Sequence, residues 1–220
     1  MLKVVNLVKS FKNGDTQTQV LKGVNFEAQD GEFIAIMGRS GAGKSTFMYQ
    51  MSLLDEPTSG QIFIDGEEVH YLSEREKMAF RLAKFGYVFQ DYALLPELTA
   101  VENVALPLLM ENFSPEQAME MATKALVQVG MGKRLNNLPS QLSGGEQQRV
   151  SISRAIAHRP DILFADEPTA NLDGESSKVV MDIFKDLHKQ GQTIIMVTHE
   201  EEYAKVAKRI IRLDDGRIIK

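Results

Sequence analysis

Nine consecutive residues, Gly38-Arg39-Ser40-Gly41-Ala42-Gly43-Lys44-Ser45-Thr46, carry the strongest chemical signal in the chain. Glycines let a backbone curl until several N–H groups face one anion. A helix that starts there adds unpaired donors and the positive end of its dipole. Lys44 brings a full charge to the β- and γ-phosphates of a nucleotide, and the Ser45 hydroxyl is placed to ligate Mg²⁺. The context is right for such a loop. The apolar run Phe33-Ile34-Ala35-Ile36-Met37 reads as a buried strand before it, and Phe47 to Leu54 reads as a helix after it.

Further residues could serve the same nucleotide. Ile162-Leu163-Phe164-Ala165-Asp166-Glu167 is an apolar strand ending in two carboxylates. A magnesium nucleotide needs a carboxylate on its metal side, which Asp166 can supply. Glu167 is the adjacent base or orienting acceptor for a water attacking the γ-phosphate. Leu142-Ser143-Gly144-Gly145-Glu146 begins a helix with a capping box, and its two glycines would let an anion approach the bare N–H groups. His199 follows an apolar strand, as a γ-phosphate contact or as an exposed residue. Gln90 ends another strand, as a ligand of metal or water or as an ordinary polar end. Phe11, in an early loop, stacks on a base or belongs to the core.

The elements that must position these groups follow from pattern and punctuation. Strands are expected at residues 2–7 and 20–28, with a turn over 10–15 between them, and a hairpin about Asp65-Gly66. Capping boxes open helices at Ser73, Thr99 and Ser114, the last with Pro115 at the first helical position and Gly130 closing it. Residues 85–89 read as a strand, Gln90 precedes a run of loop and helix, and from 91 to 131 the character is helical. Helices over 142–157 and 173–190 alternate with strands over 161–165 and 193–197, which implies parallel βαβ units. A helix over 200–207 and a hairpin through Asp214-Asp215-Gly216 end the chain. The expected class is α/β: a phosphate-loop core with a mixed parallel sheet, an N-terminal antiparallel β-subdomain, and a helical block over about 91–141 inserted in it.

Composition narrows the function. The 220 residues are 43% hydrophobic and 25% charged, which suits one globular domain with room for a subdomain. A net charge of −5 argues against a general nucleic-acid binder. There is no cysteine, so disulfides and thiolate metal sites are ruled out. Lys3, Asn6 and Lys9 interrupt any signal-peptide core, and no apolar run approaches the roughly 18–20 residues of a membrane span. The expectation is a protein soluble by itself, with no appended regulatory domain, whose membrane role would come through a partner.

In this order the motifs resemble the ATP-binding cassette family over essentially the whole chain. Residues 38–45 look like Walker A, Gln90 the Q-loop glutamine, residues 142–147 the family signature, and 162–166 Walker B. Glu167 stands where the family has its catalytic glutamate, Asn171-Leu172-Asp173 at the D-loop and His199 at the switch histidine. Phe11 is at the adenine-stacking position, often tyrosine in relatives. The runs 94–104 and 164–173 resemble the lipoprotein-releasing, macrolide-export and cell-division subgroup.

The resemblance implies an ATPase with ATP and Mg²⁺ as cofactors and one nucleotide-binding domain over residues 1–220. Glu167, His199 and Lys44 would be catalytic. Phe11, residues Gly38 to Thr46, Gln90, Ser143, Gly144, Gly145, Glu146 and Asp173 would line the nucleotide. Ser45, Gln90 and Asp166 would hold the metal. Two cassettes would pair head to tail, as a homodimer or with a different cassette, each signature serving the partner's γ-phosphate. The implied partners are integral membrane permease subunits, not nucleic acid, at the cytoplasmic face of the cell membrane. The alternative within the subgroup is a cell-division-type mechanical subunit that moves no substrate.

Overall fold

The computed structural model describes residues 2–14 and 16–219. The fold divides into two compact units, one up to Arg81 and again from Gly191, the other Leu82–Gln190.

In the first unit, β1 (Leu2–Asn13) pairs antiparallel with β2 (Thr16–Ala28) and with β4 (Ser59–Ile64), which β5 (Glu67–Glu68) extends. Leu2 and Val4 of β1 face the core on one side of the strand, and an irregularity in register between Val4 and Leu7 turns Leu7 inward as well. A second set centres on β3 (Phe33–Met37), whose five residues are all buried. It lies parallel between β8 (Thr193–Val197) and β9 (Arg209–Asp214), and β10 (Arg217–Ile219) closes the final hairpin. A strand flanked on both sides and covered on both faces needs an apolar residue at every position, which the Phe33 to Met37 run supplies. Helix α1 (Lys44–Met51) packs Phe47 edge-on to Phe26, with ring centroids 5.5 Å apart.

The chain enters the second unit within α2 (Glu74–Lys84) and forms β6 (Phe85–Val88), parallel to β7 (Ile162–Asp166). Helices α3 (Ala100–Met110), α4 (Pro115–Gln128) and α5 (Gly144–Ile156) pack on one another, and α6 (Gly174–Lys189) lies against α5. All four expected capping boxes form, at Ser73, Thr99, Ser114 and Ser143. Gly130 follows the last residue of the α4 cap in the left-handed conformation, φ 78°.

Three sequence expectations are corrected. The turn placed over residues 10–15 is displaced: β1 runs on to Asn13 and β2 begins at Thr16, while Asp15 lies outside the described residues. That stretch is a polar two-stranded ribbon exposed on both faces, so no alternation of burial marks it. Within the block of helical character, the residues from 91 to 98 form no helix; α3 starts at Ala100 under the Thr99 cap that the sequence marked. Buried Asn103 holds this loop, accepting from Leu95 N–H at 2.8 Å and donating to the Leu95 and Leu98 carbonyls. The last helix, α7 (Glu201–Ala204), is a single turn shorter than expected.

Candidate nucleotide site

In the first unit the phosphate loop leaves β3 at Gly38 and runs directly into α1. Gly43 is the N-cap, with φ 96°, and no side chain caps the helix. Gly43 is glycine because a left-handed backbone there lies beside Val20, whose oxygen an added Cβ would approach to 3.1 Å. Gly38 has a tighter reason: a Cβ would sit 2.2 Å from the Leu213 carbonyl oxygen. Lys44, buried to 8% exposure, folds back over the loop, and its Nζ donates to the Gly38 and Arg39 carbonyls at 3.0 and 3.2 Å. The ammonium is thereby held within the loop's concavity. Gly216, at the tip of the final hairpin, donates its N–H to Ala42 at 3.2 Å. Sequence reading took Gly216 as an ordinary turn residue; only its approach to the loop, long-range in sequence, reveals that it supports the site.

His199 lies on the same edge as this loop. Strands β3 and β8 are parallel with Ile36 opposite Val197, so both chains emerge together. Buried Thr198 donates its N–H to Ile36 O at 3.1 Å and accepts from Glu200 N–H, which fixes the backbone on both sides of the exposed His199. Phe11 is not in a loop. It belongs to β1, opposite Thr18, with its ring 47% exposed and Lys9 Nζ 4.9 Å from the ring centre. The side chain is therefore exposed and not part of the core.

In the second unit, β6 and β7 are parallel with Val88 opposite Ala165. Gln90, Asp166 and Glu167 therefore leave the same edge of the strand pair. Asp166 is buried at 6% exposure. Glu167 has φ 46°, a left-handed backbone uncommon for a residue with a long side chain. The turn after it is held from α5: fully buried Gln148 donates Nε2 to the Pro168 carbonyl at 2.8 Å. Asn171 donates its amide to the Gln90 carbonyl at 3.0 Å. Neither the left-handed Glu167 nor Gln148 was read from the sequence, because both features depend on contacts distant along the chain.

The start of α5 is built around Ser143. Its hydroxyl accepts from Glu146 N–H at 3.3 Å, and Glu146 accepts from Ser143 N–H at 2.9 Å. The Ser143 N–H, together with the hydroxyl and Arg134, holds the Glu146 carboxyl below its usual range. The two glycines have a structural role beyond the one expected of them. A Cβ on Gly145 would lie 2.7 Å from Ser176 Oγ, and one on Gly144 would lie 2.9 Å from Tyr92 Oη. Their missing side chains let α5 approach α6 and the 92 loop closely. A cleft of about 150 Å³ opens beside them, lined by Ser143, Glu146, Arg149 and Glu175 among others. Asp173 is the N-cap of α6, with both oxygens bonded to Ser176, and the Ser176 N–H keeps its carboxyl acidic.

A glycine loop between a buried strand and a helix, with paired acids at another strand's end, defines a phosphate-loop nucleotide-binding protein. Residues 21–170 match the family model for ABC transporters, and the chain belongs to that family. It is 47% identical over 219 residues to an uncharacterised ABC transporter ATP-binding protein of Methanocaldococcus jannaschii, covering 100% of this chain and 98% of that one. It is 47% identical to the lipoprotein-releasing system ATP-binding protein LolD of Aquifex aeolicus, covering 91% and 90%. It is 44% identical to the macrolide export ATP-binding/permease protein MacB of Marinobacter nauticus, covering all of this chain but 34% of that protein. A solved dimeric ATP-binding cassette in a post-hydrolysis state bound to ADP and Pi superposes with a TM-score of 0.93 at 40% identity, covering 100% and 97%. The chain is thus an ATP-binding, ATP-hydrolysing ABC cassette, with the fold class expected from its sequence. Among the described residues no helix is long and apolar enough to cross a membrane.

Proposed function

We propose that two copies of this chain, or this chain and a paired cassette, close head to tail around ATP and drive integral membrane permease subunits. They would sit at the cytoplasmic face of the membrane, and the cargo would be a lipoprotein, peptide or drug-like molecule. The names of the LolD and MacB relatives support that cargo class. They speak for transport over the cell-division alternative. Residues 1–220 would act as one nucleotide-binding domain, with residues 91–141 as its inserted helical block.

In this reading the N–H groups of residues 38–46 and the Lys44 ammonium hold the β- and γ-phosphates, and Phe11 stacks on adenine. Glu167 accepts a proton from the attacking water as its oxygen bonds to the γ-phosphorus and ADP leaves, while His199 orients the γ-phosphate. Ser45, Gln90 and Asp166 would hold Mg²⁺, which supplies charge neutralisation on the phosphate oxygens. A hydroxyl, an amide oxygen and a buried carboxylate are the hard oxygen donors that ion takes, with the nucleotide completing the shell. Ser143, Gly144, Gly145 and Glu146 would face the partner's γ-phosphate, a role worth about 10³–10⁵ in rate where an arginine finger fills it. Asp173, the N-cap of α6, would also line the nucleotide.

The observation that carries the reading is the capped start of α5, a second anion-ready helix besides α1. Glu167→Gln with ATP and Mg²⁺ should elute from size exclusion as a dimer. In that background Gly41→Cys with Ser143→Cys should crosslink between molecules, with no native cysteine to interfere. A monomer, or a dimer without that crosslink, overturns the head-to-tail reading.

A further inference from the structure

The segment after Gln90 is held in an unusual shape, and one side chain grips its tightest turn. Tyr92 and Ala93 both have left-handed backbones, φ 63° and 48°. Ala93 N–H bonds to Asp91 O at 2.7 Å, which makes a γ-turn with a positive φ at its centre, the rare and strained hand. No glycine is present to ease it. Strain of this kind persists only where surrounding structure imposes it.

Arg154, in the last turn of α5, imposes it. Nη1 donates to Ala93 O at 2.5 Å and Nη2 to Tyr92 O at 2.9 Å. A planar fork fixes two carbonyls at once, which a point charge does not. Among the described residues no carboxylate forms an ion pair with Arg154, so the turn's carbonyls are the recorded partners of this half-buried cation. Two further bonds hold the neighbouring backbone. Gln148, also on α5, reaches Phe89 O at 3.5 Å, and Asn171 holds Gln90 O at 3.0 Å. Helix α5 thus carries Ser143 at its start and the Arg154 clamp at its end.

We propose that Arg154 is a positioning residue for ATP hydrolysis. By locking the Tyr92–Ala93 turn onto α5, it sets where Gln90 stands and makes Gln90 follow any movement of α5. This rests on the reading of Gln90 as a ligand of metal or water. The phosphate loop is not part of the clamp, so ATP affinity should not depend on it.

The test is steady-state ATPase activity of Arg154→Met, Gln90→Ala and the double variant, titrated with Mg²⁺, beside ATP affinity by calorimetry. For Arg154→Met we expect kcat about tenfold lower, as befits a small misplacement of a positioned group. The Mg²⁺ midpoint should rise and the ATP Kd stay within about twofold. The double variant should match Gln90→Ala alone, because Arg154 acts through Gln90. Arg154→Lys keeps the charge without the fork and should fall between wild type and Arg154→Met; it also serves if Arg154→Met does not fold. An unchanged kcat and Mg²⁺ midpoint in folded Arg154 variants overturns the proposal, as does a double variant whose loss is the product of the single losses. An unchanged Gln90→Ala refutes the Gln90 reading itself, a distinct failure.

Discussion

Gly145→Ala tests whether the α5 glycines are there for packing. The added Cβ would lie 2.7 Å from Ser176 Oγ and 2.8 Å from Ser176 Cβ, where ordinary contacts start at 3.4 Å. The hydroxyl is pinned by Asp173 at 3.0 Å, and the Cβ cannot swing away, so α5 and α6 must part by about 0.6 Å. Overpacking of this size costs about 1–3 kcal/mol, offset by about 1 kcal/mol because alanine favours a helix over glycine. The net loss of about 0–2 kcal/mol is modest. The displaced start of α5 should cost more in rate, about tenfold or more, since a 1 Å error at a reacting group can cost a hundredfold. Urea unfolding and ATPase rates measure the two effects. Ser176 supplies the decisive control. Ser176→Gly removes both offending atoms and should restore much of the rate to the Gly145→Ala chain. Ser176→Ala removes only the hydroxyl, leaves the Cβ, and should restore little. Equal rescue by both, or by neither, would refute the steric argument and leave the glycine's value at the partner's phosphate.

Two more outcomes follow from the geometry. Lys44→Ala removes the ammonium that Gly38 and Arg39 hold in the loop; at about 1.5–3 kcal/mol for a charged hydrogen bond, ATP affinity should fall about 10- to 150-fold by calorimetry, and an unchanged Kd would contradict the phosphate-loop assignment. The Thr99 hydroxyl and N–H hold the Glu102 carboxyl below its ordinary range, so this cap stabilises the fold above about pH 4.5 and is lost as pH falls through the folded value. The urea midpoint of Glu102→Gln should therefore drop less between pH 7 and 3.5 than that of the native chain, and equal drops would show the cap does not contribute.

What the sequence made legible was local. The phosphate loop is spelled by a run of adjacent residues, and its strand and helix flank it directly. Each capping box needs only a Ser or Thr and an acid or amide three residues on, and all four formed. What it hid depends on contacts across the chain. Phe11 looked like a loop residue because a ribbon exposed on both faces has no burial rhythm. Thr99 marked where the helix begins, but the shape of the loop before it was hidden, because nothing in residues 91–98 announces that a buried Asn103 and a remote Arg154 hold them. At Gly145 the sequence suggested only a place for an anion, while its packing partner Ser176 is thirty-one positions away.

The same cause explains where local preference is overridden. Tyr92, Ala93 and Glu167 are all left-handed without being glycine, and all lie just beyond the ends of β6 and β7. Glycine would fit these angles best and asparagine next. At Glu167 either substitution would ease the backbone, yet neither supplies the carboxylate that the proposed hydrolysis needs. Gln148, buried and bonded to Pro168, supplies the restraint that lets a glutamate occupy this turn. The conflict between the residue and its backbone fits the catalytic role proposed for Glu167, and it marks α5 as the element that makes the conformation tenable.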